Sequence, residues 1–222
     1  MAAPDRPIWR PIWRPIWRPI WRGWLQAGVV VALLAWGGAA HAADPAGARL
    51  TSGVYEGLML AVDAQGGITG YYREEQGEGV VKRCSFFLAG QAGAGEALVK
   101  TWRDEVFPGT LQAEENAVRL KIEQGRDHPG CGAVLLPQIT TGLSLTRVAA
   151  TRWTALRRIV AVRAYFHSAP QPAKKQRSFV VQGDVVGVLA QSGDWLQVAY
   201  PGAKATTTGW MPAADSAALI PP

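Results

Sequence analysis

From about residue 50 to the C-terminus, apolar side chains return at every second position between glycine-rich breaks, which is the spacing of strands with one face against a core and one toward water. The clearest case sets Val118, Leu120 and Ile122 against Arg119, Lys121 and Glu123, a segment with one wet face. Helical spacing is hard to find. The pattern predicts a strand over residues 54–62, a turn at Asp63-Ala64-Gln65-Gly66-Gly67 and an antiparallel return over 68–73. Further strands are expected at 84–89 and 98–103, followed by a turn at Pro108-Gly109. A hairpin then joins 110–112 to 117–123 across Glu114-Glu115-Asn116. Strands around 133–136 and 142–146 complete a small antiparallel barrel or sandwich.

This strand series stops near residues 148–154 and a second, self-contained pattern begins, so the chain divides into β domains at 43–150 and 151–222. Two domains joined so closely are expected to pack on each other. The second runs through a strand over 156–166, a loop at Ser168-Ala169-Pro170-Gln171-Pro172, and alternation over 185–189. Tyr165-Phe166, Gly183-Asp184, Gly193-Asp194-Trp195 and Gly209-Trp210 follow one another in an order that resembles the bacterial SH3-like domain over about 60 residues. The chain departs from that family in a long loop at 203–208 and in lacking its Asn-Val-Arg opening. The resemblance implies an SH3-like barrel and a role in binding cell-wall peptide or protein. Gly183 and Gly193 can take the positive φ of tight turns, and the Asp after each can bond local backbone. Trp195 and Trp210 each fit two roles, as core or as ligand contact. In the second role, Tyr165, Trp195, Tyr200 and Trp210 are the candidate binding residues, with Trp210, Tyr165 and Tyr200 lining a shallow groove for an extended peptide or glycan stem.

The first forty or so residues have a different character. Arg6-Pro7-Ile8-Trp9 recurs three times in tandem through Trp21, an uncharged apolar stretch spans 23–40, and Ala40-His41-Ala42 offers small residues for a peptidase. Basic, apolar and small segments in that order make residues 1–42 a cleavable secretory signal, directing the protein to the periplasm or beyond. The repeat also fits a Trp/Arg membrane-active peptide, and the apolar stretch an uncleaved anchor. No stable membrane anchor is expected after cleavage. Over all 222 residues the net charge is +6, but residues 1–42 hold five Arg and one Asp, which leaves +2 for the remainder. The argument for nucleic-acid binding leaves with them. Both cysteines of the chain, Cys84 and Cys131, lie beyond the signal and are expected to pair in an oxidising compartment.

Candidate chemistry is sparse. Asp127, His128 and Cys131 suggest a metal site, but a disulfide consumes the thiolate and Pro129-Gly130 reads as a turn. Glu74-Glu75-Gln76-Gly77-Glu78 reads as a solvated acidic turn rather than a pair of carboxylates facing a sugar. Ser52, Ser85 and Ser144 have no Gly-x-Ser-x-Gly setting, and Lys174-Lys175-Gln176-Arg177 reads as an exposed loop. No catalytic residue, metal or cofactor is therefore assigned.

Gly70-Tyr71-Tyr72, Cys84-Ser85-Phe86-Phe87, Gly130-Cys131 and the stretch from Trp153 to Phe166 are together similar to a group of exported bacterial proteins that join a small β domain to an SH3-like one. The expectation is a non-enzymatic binding protein of the cell envelope, with a peptidoglycan peptide or envelope protein as partner. The alternative is a periplasmic inhibitor or immunity-type protein acting through its first domain, and a wall-directed enzyme is third. Protein recovered from the envelope fraction should begin at Ala43, as intact mass or N-terminal sequencing will report. A retained Met1 would point to the uncleaved anchor.

Overall fold

The computed structural model describes residues 48–78, 80–93, 95–202 and 204–222; the expected signal lies outside them. These residues are all-β: fifteen strands, five one-turn 3-10 segments and, among the described residues, no α-helix. Eight antiparallel strands close into a barrel: β1 (Gly53–Tyr55), β2 (Leu58–Val62), β3 (Gly67–Gln76), β4 (Lys82–Gln91), β5 (Glu96–Trp102), β6 (Val106–Ala113), β7 (Ala117–Lys121) and β8 (Leu143–Ala150). Closure comes from β1 pairing with β8, Gly53 opposite Ala150. Inward residues such as Leu60, Phe86, Leu88, Leu111 and Leu120 fill the interior, as eight strands leave just enough room for side chains to do.

Turn chemistry sets the connections. The Asp63 carboxylate accepts the Gln65 and Gly67 N–H groups at 2.8 and 2.7 Å, an Asx turn that returns the chain from β2 to β3. Residues 54–62 are two strands rather than one, because Gly57 at φ 72° permits a tight hairpin after Glu56. Pro108-Gly109 does not turn the chain. Both lie inside β6, which pairs with β7 only from Thr110 onward, so Pro108 sits where one side of the strand has no ladder partner among the described residues. The turn is at Arg103-Asp104-Glu105 instead. Glu74, Glu75 and Gln76 extend β3 rather than forming an acidic turn.

No strand forms at 133–136. Residues 125–140 are 3-10 turns that lay Val134, Leu135 and Ile139 over one end of the barrel, all buried in its core. Cys84 of β4 is bonded to Cys131 of this cap, with Cα atoms 4.4 Å apart. In the chain-entropy model a loop of that length contributes on the order of 4 kcal/mol.

A seven-stranded curled sheet follows, in the order β11, β10, β14, β13, β12, β9, β15. Its strands are β9 (Ala155–Ile159), β10 (Arg163–His167), β11 (Lys175–Val181), β12 (Val185–Ser192), β13 (Trp195–Pro201), β14 (Thr206–Pro212) and β15 (Ser216–Ala218). Residues 156–166 are thus two strands broken at Val160-Ala161-Val162, and β9 and β10 pair with different neighbours. Lys175 to Arg177 belong to an exposed edge strand rather than a loop, and Thr206 to Thr208 to β14. Phe166, Val186, Val198, Leu196 and Met211 form this sheet's own core. A third apolar cluster joins the two bodies. Ala61 and Trp102 of the barrel meet Trp153, Leu156, Val185, Ala199 and Leu219, flanked by Met59, Tyr71 and Phe87.

His128 lies deep in the barrel, only 1% exposed, stacked on Phe86 at 4.7 Å and edge-on to Phe107 at 4.8 Å. Thr101 Oγ1 has one proton, which it donates to the Phe107 carbonyl at 3.1 Å, so the hydroxyl accepts from His128 Nε2–H at 3.0 Å. Nδ1 has no partner. Burial accordingly holds the His128 pKa down to about 4, against 6.5 for a free side chain. Between those two values the unfolded chain takes up a proton that the folded chain refuses. Stability therefore falls as the pH drops from about 6.5 to about 4, by at most on the order of 3 kcal/mol, and this group adds no further dependence below. Urea midpoints at pH 7, 5.5 and 4 should show the decline in the wild type, and it should be markedly smaller in His128→Phe.

Candidate binding site

Cross-strand register decides which aromatic residues can act together. Trp210 of β14 lies opposite His167 of β10 on one side and Gln197 of β13 on the other, so the three share one face of the sheet. Trp195, two residues before Gln197, projects to that same face, as does Tyr165 two residues before His167. The opposite face of these strands carries Ala164, Phe166, Leu196, Val198 and Met211, all in the core. Trp195 and Trp210 are both half-buried.

His167 was not among the residues expected from sequence, yet it organises this surface. Its Nδ1–H donates to the Gln171 carbonyl at 3.0 Å, which fixes the ring and leaves Nε2 as the acceptor nitrogen. The imidazole meets the Trp195 indole edge-on, centroids 4.8 Å apart. Gly209 has a packing role. A Cβ there would press on Phe166 and the His167 carbonyl at 3.1 Å, so glycine lets β14 close on β10.

Tyr165 lies toward the sheet edge. Its ring meets Phe179 of β11 at 5.5 Å, and Lys175 Nζ sits 3.5 Å above it. Tyr200 is placed elsewhere. Five residues from Trp195 along an unbroken β13–β14 register, it projects from the other face and packs partly on the core. Its exposed part borders a cleft of about 340 Å³ between barrel and sheet, together with Met59, Tyr71, Arg73, Asp184 and Val185. Burial pushes the Tyr200 hydroxyl pKa up, and the Asp184 charge adds to that. The structure thus brings Tyr165, Trp195 and Trp210 onto one face with His167, and sets Tyr200 at a different opening.

The other polar groups are occupied. Glu74 accepts the Tyr72 hydroxyl at 2.6 Å, and burial with this acceptor raises the Tyr72 pKa. Glu75 accepts from Arg73 at 2.6 Å and Arg83 at 3.0 Å, which lowers its own pKa. Ser52 donates to the Trp153 carbonyl at 2.6 Å, and Ser144 donates to Glu114. Cys131 is in the disulfide and His128 is enclosed. Among the described residues no group of three or more His, Cys, Asp or Glu side chains is placed to hold a metal. Comparison of the chain with protein-family models, curated proteins and solved structures finds no match.

Proposed function

We propose that this is a non-enzymatic binding protein of the cell envelope, whose second, SH3-like module holds an extended peptide of the wall or of a protein partner. One observation carries the reading: Trp195, Trp210 and Tyr165 stand half-buried on one sheet face around His167. Rings held this way have already given up their rotamer freedom in the free protein. They present apolar area together with indole N–H and phenol O–H groups, which suits a peptide with alternating apolar and polar groups. The disulfide is consistent with an oxidising compartment, as the export reading requires.

Sedimentation with purified sacculi, read beside thermal midpoints, tests the proposal. Trp210→Ala should weaken binding by about 1–3 kcal/mol and leave folding nearly intact. Trp153→Ala is the contrast: this ring is 3% exposed, so its loss should cost about 3–5 kcal/mol of stability. Wild-type protein that stays in the supernatant, or a Trp210→Ala variant that unfolds, defeats the reading. Recovery of one stoichiometric protein through the barrel alone would move the case to the inhibitor-type role.

A further inference from the structure

The outside of the barrel over β3, β4 and β5 carries neighbouring rows of contrasting chemistry. Tyr71 lies opposite Phe87, and Phe87 opposite Trp102, an aromatic row under the second sheet. Two residues along, Arg73 lies opposite Ser85, and Arg103 reaches Ser85 Oγ at 2.6 Å. Two further along, Glu75 lies opposite Arg83. With strands about 4.8 Å apart and about 3.3 Å per residue, Arg73 and Arg83 stand roughly 5–7 Å from Ser85, while Arg103, just after β5, bonds it directly.

The charges in this cluster do not balance. Glu75 serves both Arg73 and Arg83, and among the described residues no salt bridge engages Arg103. Two of the three exposed guanidinium groups therefore share the Glu75 carboxylate, and the third, Arg103, donates to Ser85. They line an open groove of about 540 Å³ with Tyr71, Ser85 and Gly130. Across Tyr71 and Arg73 this groove continues into the cleft of about 340 Å³ beside Met59, Val185 and Tyr200. One end is thus apolar and the other cationic. Asp184, fixed by accepting the Val181 N–H at 2.8 Å, places a negative charge at the apolar end.

We propose that this groove binds an extended acidic peptide, with an apolar side chain between Met59 and Val185 and carboxylates on Arg73, Arg83 and Arg103. Guanidinium forks match carboxylates in bidentate pairs. The four-residue step from Tyr71 to Glu75 spans about 13 Å, the length of four extended ligand residues. Asp184 repels a carboxylate at the wrong end, so the ligand has one preferred direction. The site is separate from the Trp195–Trp210 face and goes beyond the function proposed for it.

The test is fluorescence anisotropy at low ionic strength on the full chain, with labelled Leu-Leu-Ala-Glu-Glu and its Leu-Leu-Ala-Gln-Gln-amide counterpart. The carboxylate peptide should bind at least tenfold more tightly. Arg83→Ala and Arg103→Ala should each weaken it three- to tenfold with unchanged thermal midpoints. Arg177→Ala, which removes an equal charge from the edge strand of the other sheet, should leave it unaltered, as should Trp210→Ala. Equal binding of both peptides, or of neither, overturns the proposal. So does an equal loss in Arg177→Ala, which reports only net charge, or a loss in Trp210→Ala, which assigns the peptide to the aromatic face. Inorganic tripolyphosphate binding more tightly than the carboxylate peptide would make this a phosphate site and overturn it as well.

Discussion

The arrangement of this molecule depends on one apolar strip on the outside of the barrel. Ala61 and Trp102, flanked by Met59, Tyr71 and Phe87, would form a contiguous exposed patch if the barrel stood alone. The second sheet covers it with Trp153, Leu156, Val185, Ala199 and Leu219, and the described residues accordingly form one compact unit. Trp153 is the wedge. Its indole lies so close on Gly187 that a Cβ there has no room. Two polar bonds pin the seam in register, Ser52 Oγ to the Trp153 carbonyl and the Leu156 N–H to Thr69 Oγ1 at 2.8 Å. From this packing follow the cleft at Tyr200 and the rim on which Arg73 emerges. It also leaves Trp195 open, since Ala199, four residues away on the same face of β13, is the part that the barrel covers.

Much of this fold was legible because strands with one wet face keep a period of two and because turns announce themselves in Gly and Asp. β7 and the Asp63 turn were readable for those reasons. The failures share a cause. Pro108-Gly109 has turn composition, but whether a proline breaks a strand depends on whether its missing N–H is needed, and that depends on where β7 begins. Residues 133–136 have strand composition, yet the bond to Cys84 and the left-handed Gly130 at φ 82° bend them into a cap. Residues 156–166 hide a break because Val160-Ala161-Val162 is as apolar as the strands on either side.

The candidate aromatic residues were identifiable by type but not by face. One signal was available. Trp195 and Tyr200 are five apart on one strand, an odd number, so they had to project oppositely. His167 carried no such signal, because its role comes from register with Trp210 across β14 and from contact with Trp195. Phe179 beside Tyr165 is the same case. The arginine cluster is further still from legibility. Arg73 and Arg83 are ten residues apart and Arg83 and Arg103 twenty, and only the pairing of β3 with β4 and of β4 with β5 makes them neighbours.

That cluster is tied to the barrel's least obvious feature. Arg83 and Ser85 flank Cys84 in β4, so while their side chains face the groove, the cysteine between them points inward to the cap. Gly130, next to Cys131, sits against the Arg83 carbonyl with no space for a side chain, and it lines the groove itself. The disulfide therefore does two things at once. It holds Val134, Leu135 and Ile139 over the barrel end, closing the apolar pocket in which burial lowers the His128 pKa, and it fixes the Pro129-Gly130 wall beside Arg83. The interior and the charged exterior of this barrel end share that one covalent link, so the geometry of the arginine cluster rests on the same bond as the burial of His128.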